Sequence, residues 1–292
     1  MKANTKHKDS VFSLYLSEPK RLIEVYNAVQ GENYPKNTPI EINTLDGALY
    51  QDRINDVSFL LDGKFVVLLE HQSTVCKNMP LRMLLYMSRL YEKMTSQESM
   101  YRRNRIFLPA PELIVLYNGV EEIPSESTMR LSESFEFQPK SNTLDVEVKI
   151  VNINYGKNET VLKNSRALNE YSTFIYEVHR FRNKGLPLAE AIHEAVKRCI
   201  ALGIMKDFLQ KHASEVENML LGEWKLEEQL RITAEEGLTK GLKQGLEQGL
   251  EQGIKEGKQD MAKTLLAEGV PPAIIAKASG LSLEQIEELA KQ

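Results

Sequence analysis

Residues 64–72, KFVVLLEHQ, constrain the fold more than any other stretch of the chain. Five successive apolar side chains, Phe65 to Leu69, leave neither face of an extended segment polar. The run therefore reads as a strand buried on both sides, which a sheet with helices on both faces provides. Upstream lie a second apolar segment, RINDVSFLL (53–61), and the turn dipeptide Asp62-Gly63, so the two segments predict a β-hairpin. The second strand then ends in an acid, a histidine and an amide. Either the strand simply surfaces into a loop there, or its end is a site.

The surrounding segments agree with a mixed α/β front half. Residues 9–30 carry Phe12, Leu16, Leu22, Ile23, Tyr26 and Val29 near helical spacing, with an offset at Pro19. IEINTL (40–45) reads as a short strand. Residues 79–101 predict one helix with Leu81, Leu84, Leu85, Met87, Leu90 and Tyr91 on its buried side. ELIVLYNG (112–119) is a further buried strand, and LDVEVKIVNI (144–153) a more peripheral one. From about 157 to 230 the pattern is helical, interrupted at NKGLPL. The expected organisation is an α/β domain over residues 1–155, a helical region over 156–230, a glycine-repeat tail over 231–259 and a small helical cap over 260–292.

Composition excludes several classes. A chain of 292 residues with net charge -4 does not coat nucleic acid by bulk charge. Two cysteines, Cys76 and Cys199, supply no disulfide framework and fit a reducing compartment. The start has no long apolar core of a signal peptide, and no apolar run reaches membrane-spanning length. The expectation is a soluble cytoplasmic protein without a membrane partner.

In the tail, Gly237, Gly241, Gly245, Gly249, Gly253 and Gly257 recur every fourth residue, each followed by an aliphatic residue up to Ile254. A four-residue step advances about 400° around a helix, so each stripe drifts by roughly 40° per repeat. Six interior glycines cost on the order of 5–6 kcal/mol relative to alanine. Two readings stand: a self-associating helix, making the chain a homo-oligomer, or a flexible tract expanded by repeat copying. Beyond it, Gly269, Pro271, Pro272 and Gly280 punctuate two short helices, and Ser282 with Gln285 forms a capping box. These helices resemble a helix-turn-helix, but residues 226–292 hold 8 basic and 12 acidic residues, a net of -4. Phosphate binding wants the opposite sign, which favours a packing or oligomerisation cap.

Chemistry concentrates at the hairpin. Residues two apart share a strand face, so Glu70 and Gln72 point one way and His71 the other. Asp56 joins the His71 face if Asp62-Gly63 alone forms the loop. It joins Glu70 and Gln72 if the loop is Leu61-Asp62-Gly63, pairing Leu60 with Lys64 and Asp56 with Leu68. A shared site requires the second register, and that one is expected. Two carboxylates and an amide suit a hard divalent cation such as Mg²⁺. The following segment carries Lys77, Arg82, Arg89, Lys93, Arg102, Arg103 and Arg105 against Glu92 and Glu98, a local net of +5. Beside a metal site, Lys77, Arg82 and Arg89 become candidates for phosphate contact.

The order helix, strand, "ND" strand, "LLEHQ" strand and basic helix "MPLRMLLYMSRLYEK" resembles the PD-(D/E)xK nuclease superfamily. More narrowly, the E-x-Q variant, the tail "GLKQGLEQGLEQGIKEG" and the end "LLAEGVPPAIIAKASGLSLEQIEEL" are similar to the bacterial recombination-promoting nuclease family, which also carries a transposase label. The resemblance spans essentially the whole chain. It implies a restriction-endonuclease-like central sheet and Mg²⁺-dependent DNA endonuclease activity in the cytoplasm, with Mn²⁺ able to substitute. It further implies that Asp56, Glu70 and the His71 backbone carbonyl hold the metal, and that Gln72 stands at the superfamily's lysine position. Glutamine can orient water but offers no useful proton, so a catalytically silent DNA-binding module is the first alternative, and an oligomeric scaffold the second.

Other candidates read as structural. The His71 side chain faces away and should pack, and with Cys76 it lacks the spacing of a zinc site. Tyr86, about one turn from Arg82, is placed to touch substrate with it, but suits the core at least as well. His179, His193 and His212 lack partners at useful spacing, and Asn118 suits a turn.

Overall fold

The computed structural model describes residues 10–43, 57–137, 140–141 and 143–290. Asp56 lies outside the described residues. The chain forms two compact units, residues 1–223 and 224–292.

The first unit opens with two helices, α1 (Val11–Leu16) and α2 (Pro19–Gln30), separated at Ser17-Glu18 as Pro19 requires. Among the described residues six strands follow in chain order: β1 (Ile40–Ile42), β2 (Val57–Leu61), β3 (Phe65–Gln72), β4 (Ala110–Tyr117), β5 (Glu126–Arg130) and β6 (Glu147–Asn152). Their order across the sheet is β1-β2-β3-β4-β6-β5. The β3–β4 and β4–β6 pairs are parallel, and the outer pairs are antiparallel. The parallel step from β3 to β4 crosses over through α3 (Met79–Met94) and the four-residue α4 (Gln97–Met100), as a parallel pair demands. Helices α5 (Glu159–Asn164), α6 (Arg166–Asn183) and α7 (Leu188–Leu202) complete the helical cover, and α8 (Lys206–Ala267) begins in this unit with a break at His212.

β3 sits centrally and is buried on both faces, as its composition predicts: Val66, Val67, Leu68 and Leu69 are each fully buried. Its even-numbered side chains Val66 and Leu68 pack with Met79, Met83, Tyr86, Met87 and Leu90 of α3. On the odd-numbered face, His71 meets Phe12 of α1 and Tyr171 of α6. The architecture is thus a mixed six-stranded sheet flanked by helices.

Two local expectations are corrected. The hairpin loop is Asp62-Gly63-Lys64, and the ladder pairs Leu61 with Phe65 and Leu60 with Val66, not Leu60 with Lys64. Asp62 and Gly63 both take positive φ, 50° and 65°, which aspartate and glycine tolerate. Leu61 then stays in the strand, fully buried, instead of being spent on the loop. The shift is an even number of positions, so even residues of β2 still face even residues of β3. The helix expected over 79–101 stops at Met94, where Thr95 takes extended backbone and its hydroxyl donates to the Tyr91 carbonyl at 2.7 Å. Its buried face is set by Met79, Met83, Tyr86, Met87 and Leu90, while Leu81 and Leu85 are both exposed.

In the second unit the glycine repeat is helical. Leu238, Leu242, Leu246, Leu250 and Ile254 stand 51–75 % exposed. A Cβ added at any of the six repeat glycines would meet nothing within 4 Å. The end of α8 packs with α9 (Pro272–Ser279) and α10 (Leu283–Leu289) around Ala262, Ile275 and Ile286. The predicted punctuation is present: Gly269 and Gly280 take left-handed backbone, and Ser282 and Gln285 exchange both capping-box bonds.

Candidate functional site

The described β2 pairs with β3 as far as Val57 opposite Leu69, and beyond that point Glu70, His71 and Gln72 lie opposite Val115, Leu116 and Tyr117 of the parallel neighbour β4. The Asn118 amide donates to the Gln72 carbonyl at 2.9 Å, extending the ladder past the strand end. One residue on, the main chains approach so closely that a Cβ at Gly119 would sit 1.8 Å from the Ser73 carbonyl oxygen. Only glycine fits there.

Glu70 is 2 % exposed and projects onto the α3 side. Residues 73–78 turn the chain back so that the first turns of α3 face the strand end, and Arg82 reaches Glu70: Nη2 to Oε2 is 3.1 Å. The same Nη2 lies 3.2 Å from the Tyr86 hydroxyl oxygen, and Nη1 is 3.2 Å from the Met79 sulfur. Burial works against the charged guanidinium, but the Glu70 carboxylate and the Tyr86 hydroxyl outweigh it and hold the Arg82 pKa above its ordinary value. Arg82, expected on a DNA-facing surface, is therefore turned into the protein as the counter-ion of Glu70. Lys77 is exposed and Arg89 half-buried, so both remain on the accessible part of this helix and its approach.

His71 behaves as its strand position predicts. Its ring stacks on Phe12 with centroids 4.6 Å apart, and Nε2 lies 3.4 Å from the Tyr171 hydroxyl. Burial pushes its pKa down to about 4, so the imidazole is neutral near pH 7. Its backbone carbonyl has a different outlook. The carbonyls of Lys64 and Gln72 accept from Ala110 and Asn118 on the β4 side. By strand alternation, the His71 carbonyl points toward the β2 side. Gln72 shares the Glu70 face and is half-buried. Asn118 lies on the His71 face, its side-chain amide 3.5 Å from the Ile153 carbonyl.

The described residues thus bring together Glu70, Arg82 and Tyr86, place Gln72 on the same strand face, and separate them from the side chains of His71 and Asn118. Among the described residues, no group of three or more His, Cys, Asp or Glu could hold a metal ion. The oxygen donors at hand, the Glu70 carboxylate and the His71 carbonyl, are of the hard type that Mg²⁺ accepts. The sequence reading missed the Glu70–Arg82 pair. Its trace was there, an arginine in the first turn of a helix six residues beyond the strand. No protein-family model matches the chain, and neither a curated protein nor a solved structure matches it.

Proposed function

We propose that the chain is a divalent-metal-dependent DNA endonuclease with a restriction-endonuclease-like core, acting in DNA recombination or on mobile DNA. The observation that carries the reading is a buried carboxylate, Glu70, at the C-terminal end of the central strand, sharing its face with Gln72 and following directly on Leu69, which pairs with Val57 of the antiparallel hairpin partner. The reading requires Asp56 to share that face. The even-with-even hairpin register supports this, although Asp56 itself lies outside the described residues. Asp56, Glu70 and the His71 carbonyl would hold Mg²⁺ or Mn²⁺. Such an ion lowers the pKa of bound water and offsets charge on a phosphodiester. Gln72, half-buried beside Glu70, orients water through its amide and takes no proton. Arg82 holds the Glu70 carboxylate in place through their 3.1 Å contact, and Lys77 and Arg89 contact the DNA backbone. The exposed aliphatic stripe of the tail supports self-association, with a second copy covering Leu238, Leu242, Leu246 and Leu250. Among the described residues no helix is long and apolar enough to cross a membrane. The cytoplasm is the compartment this reading implies.

The test is nicking of supercoiled plasmid with Mg²⁺, Mn²⁺ or chelator, beside Asp56→Ala and Glu70→Ala. Nicking that needs the ion and is lost in both variants supports the reading; activity that survives both substitutions defeats it. The Glu70–Arg82 pair and the absence of a proton-transferring group at Gln72 favour one second reading, a silent DNA-binding module. It predicts DNA affinity that chelator leaves intact, with no cleavage by the folded protein.

A further inference from the structure

Between α4 and β4 the chain runs YRRNRIFLP, residues 101–109. Tyr101 and Phe107 are each 88 % exposed, and no described large apolar side chain is more so. Between them Arg102, Arg103 and Arg105 are exposed. Arg102 has only a solvent-exposed pair with Glu98 at 3.8 Å, which contributes little. Arg103 and Arg105 make no ion pair among the described residues. The far end of the segment is pinned: the Tyr91 hydroxyl donates to the Pro109 carbonyl at 2.8 Å, and the Ala110 amide donates to Lys64 at 2.9 Å. Behind it lies a cleft of about 550 Å³ lined by Leu60, Leu90, Met94, Ile106 and Phe107, with Lys93 and Glu41 both on its wall.

Exposing a tyrosine and a phenylalanine to this degree is unfavourable unless something flat and apolar covers them. Three interleaved arginines call for a polyanion. Unpaired nucleotides satisfy both demands at once, because each offers a base face for stacking and a phosphate for the guanidinium groups. A duplex hides its base faces and satisfies only the second. We infer that residues 101–107, with the adjoining cleft, form a binding surface for single-stranded DNA, on which Tyr101 and Phe107 stack bases and Arg102, Arg103 and Arg105 contact phosphates. The inference rests on the reading of the chain as a DNA-acting protein and adds that its DNA carries an unpaired stretch. The surface adjoins Phe65, at the start of β3, five ladder positions or about 17 Å from Glu70. It can therefore be altered without touching the candidate site.

The experiment is fluorescence anisotropy of full-length protein in chelator, with a labelled 20-nucleotide DNA strand, the same sequence as duplex, and its RNA counterpart. Intact protein should bind the DNA strand at least about tenfold more tightly than the duplex. Tyr101→Ala with Phe107→Ala should weaken strand binding about tenfold or more and leave duplex binding within about twofold. Arg103→Ala with Arg105→Ala should weaken both and lower the salt slope by about 1.4 for the strand. Strand binding unchanged in the aromatic variant, a preference for RNA, or no DNA binding at all would overturn the inference. Metal-dependent nicking is read separately. Its absence together with aromatic-dependent strand binding defeats the nuclease reading and leaves this surface standing. Nicking retained without a strand preference does the reverse.

Discussion

Removing Arg82 while leaving Glu70 in place probes the electrostatics of the candidate site most directly. The Glu70 side chain is 2 % exposed and that of Arg82 21 %, with 3.1 Å between charged atoms. Deleting one partner of a buried pair typically costs 3–5 kcal/mol, because the other charge stays out of water without its counter-ion. Arg82 keeps some solvent contact, so Arg82→Met should cost about 3 kcal/mol, at the lower end of that range. With a urea m-value of about 2.5 kcal/mol/M, the unfolding midpoint of the first unit should fall by about 1.2 M. Replacing the pair together by Arg82→Met with Glu70→Leu removes both charges and should return the midpoint to within about 0.4 M of the original, since apolar replacement of buried pairs is often neutral. The assay is urea titration followed by circular dichroism at pH 7.5 for the two single variants and the double. A single Arg82→Met variant that shifts by less than about 0.3 M, or a double variant no better than the worse single, would refute a buried, coupled pair.

Three further outcomes follow from the structure. The His71 pKa, lowered to about 4 by burial, means that the unfolded chain binds the proton first. Its stabilising effect is therefore present at neutral pH and lost as pH falls from 6.5 toward 4, so His71→Phe should remove about 2 kcal/mol of the stability difference between pH 7 and pH 5. Equal pH dependence in both proteins would refute this. Gly119→Ala should destabilise by about 3 kcal/mol or more, because its Cβ would fall 1.8 Å from the Ser73 carbonyl oxygen; a melting temperature within a degree of the parent would show that the chains part easily. Leu242→Glu with Leu246→Glu should convert self-associated protein to monomer in sedimentation velocity while leaving the helical signal nearly intact, since both side chains are more than 70 % exposed. A parent that sediments as a monomer at high concentration would remove the proposal for the tail.

Local chemistry carried much of this protein in its sequence. The two-face burial of β3 follows from five adjacent aliphatic or aromatic residues, and the opposition of His71 to Glu70 from the pleat alone. The glycine stops and the Ser282–Gln285 box lie within one helical turn of the residues they serve, so they too are legible without a fold. What tertiary structure decided is everything that depends on distant partners. Asp62 and Gly63 permit several turns, and the burial of Leu61 selected the one with Leu61 opposite Phe65. The apolar residues of α3 offered more than one stripe, and contact with β3 chose Met83, Tyr86 and Leu90 while leaving Leu81 and Leu85 in water. Arg82 read as a surface cation because nothing in its neighbourhood along the chain is acidic. Only the return of α3 over the end of β3 set it against Glu70 and made it part of the site. The spacing of charges across a fold is set by where backbones cross, and that crossing depends on the packing of the whole core.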